Sequence, residues 1–401
     1  MSIATWKGEN SVTILDSTLR EGEQAPGVYF DPHVKMAIAE LLDEIGVGII
    51  EAGHPVVSEE ISAGLQALTK RNFHALIGAH ARSLIKDVDL ALQCGADFIG
   101  IFYCVSSERL QDNSITLGAA IDQVAAVIAY IKKQRPETIV RYTPEDTVRS
   151  PMANVVAAAC EAVGAGADVI SIADTTGHMI PGGKLSMYSW LSRFREALQR
   201  RGVTPRLAVH CHNDRGLALA NALEGLHAGA SIIDASVLGL GERAGIVDLA
   251  TLLAILAQES PGDGPWRLEK IPELYQLVSR YAGIPVPGHF PVVGQNVFTH
   301  CAGVHSQAAL RNPFHYQSLD PALFGRKSDT ILDHMSGLAA LQHALDRIGV
   351  TDVPREQLTA IMIKVKQVGA KGRVVNLDEL KWIVKYEGIQ CNEEIFRCKT
   401  A

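Results

Sequence analysis

The chain has 401 residues, too many for one ordinary domain and enough for a barrel of about 250 residues followed by a smaller part. Hydrophobic residues make up 47% and charged residues 20%, with 35 glycines, which excludes a disordered or fibrous chain. The formal net charge of -7, from 44 acidic and 37 basic residues without a long basic run, argues against a nucleic-acid partner. The opening MSIATWKGENSV lacks a basic stretch followed by an apolar core, and no later apolar run reaches about 18 residues, so no membrane association and a cytoplasmic location are expected. The seven cysteines (94, 104, 160, 211, 301, 391 and 398) form no CxxC pair and are expected as reduced thiols.

In chain order, eight short apolar runs are predicted as strands: Val12 to Asp16, Gly48 to Ala52, Ala75 to Ala79, Phe98 to Tyr103, Ile139 to Tyr142, Val169 to Ala173, Leu207 to Cys211 and Ser231 to Ala235. Amphipathic helical patterns separate them. Asp31-Pro32 and Ser150-Pro151 read as N-cap and first-turn pairs, and Gly46 and Gly164 as helix stops. Alternating βα units imply a parallel sheet, and polar residues at nearly every strand's C-terminal end favour a closed α/β fold, the TIM (β/α)8 barrel, over a doubly wound open sheet. The alternation ends before the break SPGDGP at 260–265. The expected organisation is therefore a catalytic barrel over 1–260, a linker or subdomain over 261–319, and a small helical C-terminal domain over 320–401.

The sharpest chemical signal is His210-Cys211-His212-Asn213-Asp214 at the end of the seventh strand. Side chains two apart share a strand face, so both imidazoles can point to the barrel mouth, either as half of a metal site or as a hydrogen-bonded histidine pair, the position at a barrel strand's end favouring the first. The first strand ends in Asp16-Ser17-Thr18-Leu19-Arg20-Glu21-Gly22-Glu23-Gln24, where Asp16, Glu21 and Glu23 are equal candidates for a carboxylate ligand by spacing. Other strand ends add Glu51, His80, Arg141 to Asp146, and Asp174-Thr175. The loop from Gly239 to Gly245 is a weak phosphate-site candidate, tight backbone packing being the competing explanation.

In this order, STLREGEQ, ADTTG, HCHND, LGLGERAG and FTHCAGVH resemble the family of isopropylmalate, citramalate and homocitrate synthases over nearly the whole chain. The resemblance implies a divalent metal (Zn, Mg or Mn) on Glu21, His210 and His212, with Asp16 in a supporting position. It also implies roles in binding the 2-oxo acid for Arg20, Gln24, His80, Arg141, Thr143 and Thr175, and in catalysis for Arg20, Glu145, His305 and Tyr316. In relatives the last two reach into the neighbouring subunit's barrel, which implies a homodimer, and His300 is expected to be structural. Glu21 and Ile246, with His80 and Arg141, resemble the lysine-type homocitrate synthases. The motif Glu51-Ala52-Gly53-His54-Pro55 and the aromatics Phe102-Tyr103 depart from that pattern.

The expected reaction is a Claisen-type condensation of acetyl-CoA, as co-substrate, with 2-oxoglutarate. The alternatives are a synthase taking an apolar, aromatic or phosphonate-bearing 2-oxo acid, a lyase on the same barrel, and a non-catalytic metabolite-binding barrel. The chain leaves no room for the long leucine-sensing domain of isopropylmalate synthases, so feedback of that type is not expected.

Overall fold

The computed structural model describes residues 12–259, 266–301, 308 and 312–387. The break SPGDGP, His305, Cys391 and Cys398 lie outside them. Eight strands, β1 (Thr13–Asp16), β2 (Ile49–Glu51), β3 (Leu76–Arg82), β4 (Phe98–Phe102), β5 (Ile139–Thr143), β6 (Val169–Asp174), β7 (Arg206–Cys211) and β8 (Ile232–Ala235), close into a parallel barrel in sequence order. Closure is made by β8 against β1, with Thr13 opposite Ile232 and Asp16 opposite Ala235.

Strand periodicity explains how this barrel positions a site. One buried residue from each strand, Leu15, Ile49, Leu76, Phe98, Ile139, Val169, Ala208 and Ile232, forms an apolar cluster in the barrel interior. Two residues further along, on the same face of each strand or its immediate continuation, stand Ser17, Glu51, Gly78, Gly100, Arg141, Ser171, His210 and Asp234. The interior thus changes from sealed and apolar to polar within one strand step. Gly100 is small for a reason: a Cβ there would stand 3.4 Å from both the Glu51 Oε1 atom and the His80 ring.

Around the barrel run α1 (Pro32–Ile45), α2 (Glu59–Thr69), α3 (Ile85–Gln93), α4 (Ser107–Asp112), α5 (Leu117–Gln134), α6 (Met152–Gly164), α7 (Met187–Gln199), α8 (Ala218–His227), α9 (Leu249–Glu259) and α10 (Ile271–Ala282). Helix α1 starts and stops as expected: Asp31 accepts from the amides of His33 and Val34, and Gly46 is left-handed at φ 98°. Two predicted boundaries of α6 need correction. Ser150 does not cap it, because its hydroxyl donates to the Asp146 carbonyl at 2.9 Å and leaves Pro151 outside the first turn. The helix also runs through Gly164, and the left-handed residue that turns the chain is Gly166, at φ 112°.

The chain divides into two compact units, 1–286 and 287–401. Residues 266–286, which the sequence assigns to the connection, belong to the first: the Arg267 amide donates to the Ile45 carbonyl, and the Tyr275 hydroxyl donates to Asp248 at 2.6 Å. In the second unit, α11 (Leu338–Arg347), α12 (Arg355–Gly369) and α13 (Leu377–Tyr386) enclose a core including Leu341, Leu345, Ile361, Val365, Leu380 and Val384. This unit also carries a small parallel pair, β9 (Thr299–His300) and β10 (Asp329–Thr330), in which His300 has a backbone role, its carbonyl accepting from the Ile331 amide. Among the described residues, no helix is long and apolar enough to cross a membrane.

Candidate active site

The loop after β1 presents three carboxylates, and their partners separate them. Glu23 is engaged by Lys35 Nζ at 2.6 Å and by the Phe30 amide at 2.9 Å. Lys35 is a lysine on the otherwise apolar face of α1, and it also donates to the carbonyls of Leu19 and Ala52, so it ties the β1 loop to the end of β2. Asp16 turns back to accept from the Thr18 amide at 2.9 Å, and burial pushes its carboxyl up to about 7. Glu21 is left facing the histidines. Burial pushes its carboxyl up, but Arg20, His210 and His212 outweigh that and hold it below its ordinary value.

Ligand-capable atoms of Glu21, His210 and His212 all lie within 4.8 Å of one another, and all three residues are buried. Asp234 of β8 accepts from His210 Nδ1 at 2.9 Å, which leaves the lone pair on His210 Nε2. That lone pair faces His212 Nε2 at 3.2 Å, while His212 Nδ1 is buried without a hydrogen-bond partner. Burial, then the neighbouring His210, push the His212 imidazole down to about 4, so it is neutral at pH 7 and able to ligate. One carboxylate after β1 and two imidazoles at the end of β7, with β8 between the two strands, are a donor set that fits a divalent cation. Cys211 points the other way, fully buried.

Around this cluster the charges are tied in pairs. Arg20 is ion-paired to Glu21 on one side and to Glu51 Oε2, at 2.6 Å, on the other. Glu51 also accepts from the Ser17 hydroxyl at 2.6 Å, and its other oxygen has no partner. Burial opposes ionisation of Glu51, yet Arg20, His80 and Arg141 hold its carboxyl well below the usual range. Arg141 grips Asp234 with two parallel bonds of 2.8 and 2.6 Å, and its Nε donates to Thr143 Oγ1 at 3.3 Å. Asp234 therefore supports His210 and Arg141 together, the place the sequence reserves for Asp16.

A cavity of about 160 Å3 opens above these groups, lined by Arg20, Glu21, Gln24, His80, Arg141 and Thr143, with Glu145, Thr175, His210 and His212 completing its wall. With its amide turned so that nitrogen faces the carboxylate, Gln24 donates to both Glu21 oxygens at 2.9 and 3.0 Å. Thr175 Oγ1 accepts from the Asp146 amide, and Glu145 is ion-paired to Arg109 at 2.7 Å. On the opposite side the wall is aromatic. The His80 ring stacks on Phe102 with centroids 4.8 Å apart, and His54 meets both rings edge-on at 5.7 and 6.5 Å. Burial, then Arg20, keep the His80 imidazole well below its ordinary value.

Ten of the predicted site residues thus line one cavity. Tyr316 lies in the second unit and is exposed, and His305 is outside the described residues. The sequence prediction missed Asp234 and Lys35. Each carries a signal, an acid inside the apolar run of strand eight and a lysine at a buried helix position.

A family model described as HMGL-like matches residues 11–278, and one described as homocitrate synthase post-HMGL domain-like matches 292–373. The chain is similar to a homocitrate synthase of Pyrococcus abyssi, 41% identical over 88% of this chain and 94% of that one. A homocitrate synthase of Sulfurisphaera tokodaii is 38% identical over 87% of this chain and 75% of its own. Among solved structures, a hydroxymethylglutaryl-CoA lyase from Pseudomonas aeruginosa shares the fold, with a TM-score of 0.57 and 21% identity over 69% of this chain and 95% of that chain.

Proposed function

The chain belongs to the HMGL-like family, among the homocitrate synthases, and from that premise we propose that it condenses acetyl-CoA with 2-oxoglutarate to give homocitrate and free CoA. The observation that carries this reading is the meeting, in one cavity, of the Glu21, His210 and His212 donor set with the guanidiniums of Arg20 and Arg141. One end suits a 2-oxo carboxylate, the other a second carboxylate. Neither the 2-alkylmalate-type synthase nor the non-catalytic barrel is favoured by the relatives, which carry the homocitrate synthase name.

Glu21, His210 and His212 would hold a divalent ion, Zn, Mg or Mn, which when bound supplies a Lewis acid beside the 2-oxo group. Arg20, fixed between Glu21 and Glu51, places positive charge where the carbonyl oxygen becomes an alkoxide. Arg141, with His80 and Thr143, binds the far carboxylate, while Gln24 and Thr175 orient the near end. Glu145, held by Arg109, and His305 with Tyr316 are the groups we assign to removing a proton from the acetyl methyl. The resulting enolate carbon attacks C2 of the oxo acid, the oxygen takes up a proton, and water then cleaves the thioester to a carboxylate and CoA. His305 and Tyr316 are read as supplied by a second copy of the chain, so the working form is a homodimer.

The test is release of free thiol from acetyl-CoA with a panel of 2-oxo acids. The highest kcat/KM is expected with 2-oxoglutarate, and an equal value with 2-oxoisovalerate would overturn the substrate assignment.

A further inference from the structure

A second cavity, of about 220 Å3, opens beside the catalytic one at the C-terminal ends of β3 and β4, against α4 and α5. Two residues line both spaces, Phe102 and Glu145. Glu145 is tethered by Arg109, so the removable part of the shared wall is the Phe102 ring. Two neighbouring rings set that ring in place, and a hydrogen bond fixes the backbone that carries it. Phe102 stacks on His80 with an interplanar angle of 5°, receives the His54 edge at 88°, and its own carbonyl accepts from the Ser83 hydroxyl at 3.0 Å. Phe102 stands two residues beyond Gly100 on the inward face of β4, on the side of the cavity where His80 lies. The space behind it carries guanidinium groups of its own, from Arg82, clamped by Asp87 at 2.6 and 3.0 Å, and from Arg109.

We propose that Phe102 is a specificity-determining partition: its ring stops the 2-oxo acid at the length of 2-oxoglutarate, and the space behind it takes the far end of a longer dicarboxylic 2-oxo acid once the ring is removed. The proposal rests on the condensation described above. A ring that faces substrate on one side and empty space on the other limits length by sterics. The polar side chains behind it, among them Arg82, Arg109, Asn113 and Gln123, offer a carboxylate donors that an apolar tail would leave unused.

The experiment measures CoA release with 2-oxoglutarate, 2-oxoadipate and 2-oxopimelate for the wild type, Phe102→Ala, Phe102→Leu, Asn113→Phe and the Phe102→Ala/Asn113→Phe double variant. Asn113 is an exposed residue that lines only the second cavity, so its replacement by phenylalanine fills that space from outside. Phe102→Ala is expected to raise kcat/KM for 2-oxopimelate by about 10-fold or more over wild type. Its activity on 2-oxoglutarate should fall as His80 loses its stacking partner. Phe102→Leu should give a smaller gain in the same direction and guards against misfolding of the alanine variant. Asn113→Phe alone should leave 2-oxoglutarate kinetics unchanged, and in the double variant it should cancel the gain. An active wild type whose length profile neither Phe102 variant alters would overturn the partition. So would an unchanged profile accompanied by a raised KM for acetyl-CoA, because the second space would then belong to the thioester. A wild type silent on all three acids would instead overturn the reaction itself.

Discussion

The two sides of the catalytic cavity are built on opposite principles. On one side, Arg20, Glu21, Glu51, Arg141, His210 and Asp234, carried at the ends of β1, β2, β5, β7 and β8, are buried and joined by charge-assisted bonds of 2.6 to 2.9 Å. On the side of β3 and β4, His54, His80 and Phe102 meet through ring faces and edges, and His54 Nε2 has no hydrogen-bond partner. A buried network of paired charges tolerates almost no change, since loss of one member strands another buried charge. A stacked wall tolerates shape change at modest cost. On the proposed function, the first side carries the chemistry and the carboxylate anchor Arg141, and the second is where the length of the substrate is limited.

The contrast predicts a graded series of effects. His212→Ala, or exhaustive chelation of the wild type, is expected to lower CoA release on the order of 10^3-fold or more, with divalent ion restoring the chelated enzyme but not the variant. Turnover that survives chelation would dissolve the distinction between the two sides. Lys35→Met should remove on the order of 2 kcal/mol of stability in denaturant unfolding, because the mostly buried Glu23 loses its cation and keeps only the Phe30 amide. A loss below about 0.5 kcal/mol, as at an ordinary surface site, would show that Glu23 is readily resolvated. Asp234→Asn is expected to weaken metal binding by about 10- to 100-fold, read by titration of the apoprotein, with unchanged affinity arguing against its support of His210. His80→Phe should keep the stack and lose the imidazole, raising KM for 2-oxoglutarate about 10-fold while kcat stays within about 2-fold. An equal fall in kcat would move His80 from the variable side to the chemical one.

Much of the barrel was legible in the sequence because its strands are short apolar runs with polar ends. The predicted and observed strands coincide to within a few residues, the largest difference being β3, which runs on to Arg82. His210 and His212 were visible because strand periodicity alone puts them on one face. The choice among Asp16, Glu21 and Glu23 was not legible from spacing. It depends on Lys35, whose side chain crosses from α1 to capture Glu23, and on the Thr18 amide that turns Asp16 away. Asp234 was missed for a related reason. Its partners, Arg141 and His210, lie 93 and 24 residues away, and only barrel closure brings them to it. The α6 boundary failed locally, where the Asp146 carbonyl competes for the Ser150 hydroxyl that the helix start would otherwise use.

Asp234 has one further consequence. A single carboxylate serves Arg141 through both oxygens and His210 through one of them, so the two equilibria share a free-energy term. Any anion that draws on the Arg141 guanidinium loosens its grip on Asp234 and so alters the bond that Asp234 makes to His210. Linkage then runs both ways: occupancy of the His210 site must change the affinity for that anion by the same factor that the anion changes affinity at His210.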